Sequence, residues 1–188
     1  MAKKYGHEPV FALLTARSSP NVLLRTALFA NDSGRVRALV TSDSTLVSSL
    51  SRAEHGQLAQ TIFHEAFDAA NLMLDLGFDP AAPGVDGGTA LHAACWVGNV
   101  RLVDRILALG AVHLDAADPT HQSPPLGWSA YGSVHRRSPG GDYPAVAFRL
   151  VAAGADIHAT GNLHGLTLVE MAKGNPEMQE ALRRLGSV

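Results

Sequence analysis

The sequence predicts an all-α chain of stacked helix–turn–helix units, about four full repeats preceded by a partial one. Three features of the 188 residues lead there. The first is a unit legible by itself. Thr89 can cap a short helix whose inward positions, Ala94 and Cys95, are small enough to let neighbouring helices approach. Gly98-Asn99 breaks that helix, and Leu102, Val103, Ile106 and Leu107 recur at helical spacing before Gly110, the glycine expected just past a helix end. The second is that such glycines return at Leu76-Gly77, Leu109-Gly110, Ala153-Gly154 and Leu185-Gly186, at intervals of 33, 44 and 32, the longest matching 33 plus an insertion. The third is that Phe29, Phe63, Trp96 and Tyr131 share one register position, 34, 33 and 35 residues apart. With only 6% of the chain aromatic, four in register are not accidental.

The unit Thr89-Ala90-Leu91-His92-Ala93-Ala94, with the hairpin behind it, resembles the ankyrin repeat. That family's signature is Thr-Pro-Leu-His-x-Ala with a period near 33 residues; alanine here replaces the proline. The resemblance is to a bacterial-type ankyrin domain and implies a solenoid whose concave face binds other proteins. It also implies that His92 hydrogen-bonds between repeats, and that the position of Phe29, Phe63, Trp96 and Tyr131 faces the groove.

In chain order, residues 1–21 read as the second half of a repeat, Gly6-His7 resembling the turn between helices and Val10, Phe11, Leu13 and Leu14 forming a buried face. The chain then begins inside a repeat, either as the C-terminal part of a longer ankyrin protein or with a degenerate amino-terminal cap. The next hairpin, within 22–52, runs from Leu23 to Val40, and Leu46, Val47 and Leu50 in its polar exit suggest a short helical turn. Residues 53–86 register as a repeat through Leu72, Met73, Leu74 and Gly77, with a turn-rich exit from Phe78 to Asp86. The signature unit occupies 87–119. In the unit 120–161, Pro124 to Ala130 opens the first helix, a long turn is expected from Ser133 to Asp142, and Ala145 to Val151 supplies the second helix. Residues 162–188, with Glu177, Glu180, Arg183 and Arg184, read as a capping repeat. The whole is expected to be one elongated domain.

A net charge of −2 with scattered lysines and arginines gives no footprint for nucleic acid or an anionic membrane. No stretch reaches transmembrane length, and Val10 to Leu14 is too short for a signal peptide. A cytoplasmic protein is expected, which makes the sequon Asn31-Asp32-Ser33 a coincidence. Cys95 offers no disulfide and reads as a buried packing thiol. Nine histidines include no pair at the spacing of a zinc site, and Gly84, Gly87 and Gly88 do not have phosphate-loop spacing, so neither metal nor cofactor is implied.

The aromatic register has two readings: rings that seal the stack, or a partner-binding strip, since Trp and Tyr dominate interface hot spots. His64 lies beside it, joined by His135, Arg136 and Arg137 if the long turn folds over the groove. That turn is either a solvated insertion or a recognition loop whose arginines meet a carboxylate or phosphate. The leading function is a non-catalytic scaffold binding another protein. The alternative is a groove closed over a small apolar molecule by residues 133–143, binding it or promoting a cyclase- or isomerase-like rearrangement through His64, His135, Asp142 and Tyr143. A connecting role in a larger protein is a third possibility, with self-association through the incomplete amino-terminal repeat.

Overall fold

The computed structural model describes residues 18–30, 32–110, 112–159 and 162–187, and every regular element among them is helical. The chain divides into two compact units, residues 1–50 and 51–188. Most of the partial repeat expected over 1–21, including Val10, Phe11, Leu13 and Leu14, lies outside the described residues.

The first unit holds a helix hairpin. Helix α1 (Pro20–Phe29) begins on a proline, whose fixed φ suits a first turn. Helix α2 (Ser33–Ser42) is capped by Asp32, whose carboxylate accepts from Arg35 N–H at 3.0 Å. Leu24, Ala27 and Leu28 from α1 and Val36 from α2 are buried. Turns over residues 44–49 then bury Leu46, Val47 and Leu50, so the apolar part of the exit is a succession of turns and not a regular helix.

The second unit repeats a hairpin four times. Its first helices are α4 (Gln57–Phe63), preceded by the short α3 (Arg52–His55), then α6 (Ala90–Trp96), α8 (Pro125–His135) and α10 (Leu168–Met171). Each is followed by a second helix: α5 (Phe67–Asp75), α7 (Val100–Ala108), α9 (Tyr143–Ala152) and α11 (Pro176–Arg184). Helix α4 packs on α6, α6 on α8 and α8 on α10, while α7 packs on α9 and α9 on α11. The two rows pack on each other and bury Leu58, Ile62, Leu91, Leu126 and Leu168 from the first helices and Met73, Ile106, Leu150 and Leu182 from the second.

Local chemistry sets these boundaries. Asn99, Asp142 and Asn175 accept from the N–H groups of Leu102, Ala145 and Met178 and so cap α7, α9 and α11. The four helix-ending glycines all have positive φ, from 67° at Gly110 to 105° at Gly154, as their regular spacing implies. Gly132 serves close approach instead: a Cβ there would stand 2.5 Å from the Trp96 carbonyl oxygen, so only glycine lets α8 lie this near the end of α6. The long turn is shorter than its sequence suggests. Ser133, Val134 and His135 remain in α8, and the loop proper is 136–142.

Candidate functional site

Phe63 and Trp96 are the last residues of α4 and α6, and Tyr131 lies in the second half of α8. Their rings stack in sequence. Phe63 and Trp96 are 4° from parallel with centroids 6.1 Å apart, and Trp96 and Tyr131 lie 28° from parallel at 6.2 Å. Tyr131 is 44% exposed, so the strip reaches solvent. Phe29 ends α1 in the first unit and is 91% exposed.

Trp128, absent from the sequence-derived candidates, forms a second wall. One helical turn before Tyr131 it turns inward and meets Trp96 edge-on, at 75° and 6.1 Å. Its indole N–H donates to Asp118 Oδ2 at 2.9 Å. Asp118 is buried, and its carboxylate also accepts from the backbone N–H groups of Thr120, His121 and Ser123. Burial pushes its pKa up, but the N–H donors, with the nearby His121, outweigh that and hold it below the ordinary carboxylate value. Only the register of an irregular connection brings these donors together, so no spacing rule points to Asp118.

Behind Trp128, at 5.3 Å and edge-on, lies His92. Its Nδ1 accepts from Thr89 N–H at 3.1 Å and lies 2.9 Å from the Thr89 hydroxyl. Its Nε2 is 2.9 Å from the Ala116 carbonyl. An N–H on one side and a carbonyl on the other fix the tautomer with the proton on Nε2. Burial lowers its pKa, opposed in part by the Ala116 carbonyl and by Asp118. Cys95, in the same helix, is fully buried, and burial pushes its thiol pKa up, which disfavours the thiolate.

The rings open onto a cleft of about 830 Å³, its open mouth included. Its lining combines the rings of Phe63, Trp96, Trp128 and Tyr131 with the apolar side chains of Leu163, Leu166 and Met171. Asp86 and His121 stand in the wall with the carboxylate 3.3 Å from His121 Nε2. Trp96 Nε1 and Ser123 Oγ, on two lining residues, are buried without a hydrogen-bond partner among the described residues.

The other candidates sit elsewhere. His64 is exposed and meets Phe63 edge-on at 5.7 Å, and His135 lies 4.0 Å from the Tyr131 ring on the side away from Trp128 in sequence. Arg136 pairs with Glu65 at 2.6 Å, and its guanidinium stands 5.8 Å from the Phe63 ring centre. Ser138 Oγ donates to the same Glu65 oxygen at 2.8 Å. Tyr143 is buried, its hydroxyl donating to the Trp96 carbonyl at 3.2 Å and accepting from Ser138 N–H at 3.1 Å. Arg137 is exposed with φ 50° and lines a separate polar recess with Glu177. The 136–142 loop is thus tied down against α4 and α6. None of residues 133–143 borders the aromatic cleft, to which α8 contributes only Gly127, Trp128 and Tyr131 and the connection before α10 contributes Asn162, Leu163, His164 and Leu166; His64, His135, Asp142 and Tyr143 do not line it.

The family model for the ankyrin repeat matches residues 86–119. The chain contains an ankyrin repeat. The matched segment begins at Asp86 and contains helices α6 and α7 and Asp118, so the ankyrin unit supplies Trp96, His92 and the carboxylate that holds Trp128. The chain is also similar to protein PhlB of Serratia liquefaciens, 32% identical over 96 residues. That match covers 48% of this chain and 39% of PhlB, well under half of the relative's length. Ankyrin repeats generally bind other proteins, and no described helix is long and apolar enough to cross a membrane.

Proposed function

We propose that this chain is a non-catalytic, cytoplasmic ankyrin scaffold that binds another protein on the concave face of its repeats. The repeats of this reading are 53–86, 87–119 and 120–161 with a capping repeat at 162–188, and 22–52 is a further repeat of the same type. The observation that carries the proposal is the continuous strip Phe63, Trp96 and Tyr131, which stacks across three first helices, remains partly open to solvent and borders the cleft. Rings held by their neighbours lose little freedom on binding, so they make efficient anchors. Asp142 as a helix cap and Tyr143 as a strut between Trp96 and Ser138 have structural work that explains them without chemistry.

Affinity capture from the source organism's lysate tests this, with the wild type, Tyr131→Ala and the Trp96→Ala, Tyr131→Ala double variant run side by side. A protein retained by the wild type and lost from variants of unchanged helical content supports the proposal. Equal retention by all three places binding off the strip; loss of helical content in the double variant alone leaves Tyr131→Ala to decide.

A further inference from the structure

The aromatic cleft carries a charge pattern that packing does not require. The three connections around it, residues 76–89, 109–124 and 153–167, contain Asp79, Asp86, Asp115, Asp118 and Asp156 but no lysine or arginine. Arg101, Arg105, Arg149, Arg183 and Arg184 lie instead on the second helices α7, α9 and α11. Within the cleft, Asp86 is the charged lining residue, with its side chain half exposed, and no lysine or arginine stands among the described residues that line it. Asp118 adds a second carboxylate behind Trp128, on the indole N–H, where it strengthens the negative potential of the ring face.

We infer that the cleft receives a basic side chain, a lysine or arginine, from the docking segment of a partner protein. The inference rests on reading this face as the protein-binding one. Such a side chain has two parts, and the cleft matches both. Its aliphatic stem lies along Leu163, Leu166 and Met171, and its cationic head reaches the ring faces and Asp86, displacing the His121 contact. An acidic side chain would meet Asp86 and, behind Trp128, the carboxylate of Asp118. A purely apolar one would desolvate Asp86 with nothing in return.

The two tryptophans of the chain both line the cleft, so intrinsic fluorescence reports its occupancy. The test pans a random peptide library displayed on phage against the full chain, then titrates the enriched peptide, made synthetically, by tryptophan fluorescence. Asp86→Asn is the diagnostic variant: the side chain is exposed, and asparagine tolerates the positive φ of 51° at this position. The inference predicts enrichment of lysine or arginine and binding about tenfold weaker with Asp86→Asn or with norleucine in place of the peptide's basic residue. Glu177→Gln, on α11, should leave affinity unchanged. Apolar or acidic peptides that perturb the tryptophans and ignore Asp86→Asn would overturn the basic occupant and leave the binding face standing. Peptides that bind without perturbing the tryptophans and are indifferent to Tyr131→Ala, or a library that enriches nothing, would overturn both.

Discussion

Asp118 shows how one side chain sets the site's geometry. Three backbone N–H groups and the Trp128 indole point at its two oxygens, and all four are donors. Asp118→Asn keeps the shape but turns an NH₂ group toward donors, so it should cost about 2–3 kcal/mol in denaturant unfolding, with loss of the Trp128 environment in near-UV circular dichroism. His92 makes the complementary prediction in pH. Its folded pKa is depressed, so the unfolded chain takes up the proton first; its contribution is whole above the ordinary histidine value, about 6.5, and is lost as pH falls from there through the folded value. Asp118 is also depressed, so its contribution persists to lower pH and is lost below the ordinary aspartate value of 3.8. His92→Gln can still accept from Thr89 and donate to Ala116 but does not titrate. Stability measured in urea across this range should therefore fall less steeply for the variant than for the wild type between about pH 6.5 and 5. A parallel pair of curves would show that His92 is not the titrating group.

The helices were largely legible in the sequence because their signals are local. Helix-ending glycines, the cap Thr89, the Gly98-Asn99 break and the aromatic register all act within a few residues or recur at a fixed interval. The site's second wall and the course of the 136–142 loop were not, because contacts distant in sequence decide them. Glu65 holds Arg136 and Ser138 from 71 and 73 residues away, and part of the cleft's lining comes from the distant connection before α10. Glu65→Ala should release this loop. We expect faster amide exchange at Ser138 to Asp142, including Gly141, with a stability loss of about 1 kcal/mol, since the Arg136–Glu65 pair remains partly exposed to solvent. Unchanged exchange there would assign the loop's order to its other ties, the Tyr143 hydroxyl and the bond from Asp142 N–H to the Gly98 carbonyl. Gly132→Ala acts between elements: its Cβ would press on the Trp96 carbonyl and force α6 and α8 apart, costing about 1–3 kcal/mol in thermal or denaturant unfolding.

At the scale of the molecule, function should follow from which row of helices a partner touches. The second helices carry the arginine pairs that join neighbouring hairpins: Arg105 with Asp75 and Asn71, and Arg149 with Asp104 at 3.2 Å. These pairs are partly exposed and individually weak, and they leave the aromatic strip and the acidic connections as the differentiated face of the second unit. Repeats of this kind bury a core between rows and can keep one row's loops free for recognition. Hydrogen–deuterium exchange of the full chain, alone and with its captured partner, distinguishes the two rows. Binding through the proposed face protects residues 85–96, 121–131 and 162–166 and leaves 100–108 and 143–152 unchanged; protection confined to those second helices, with the aromatic strip unaffected, would contradict it.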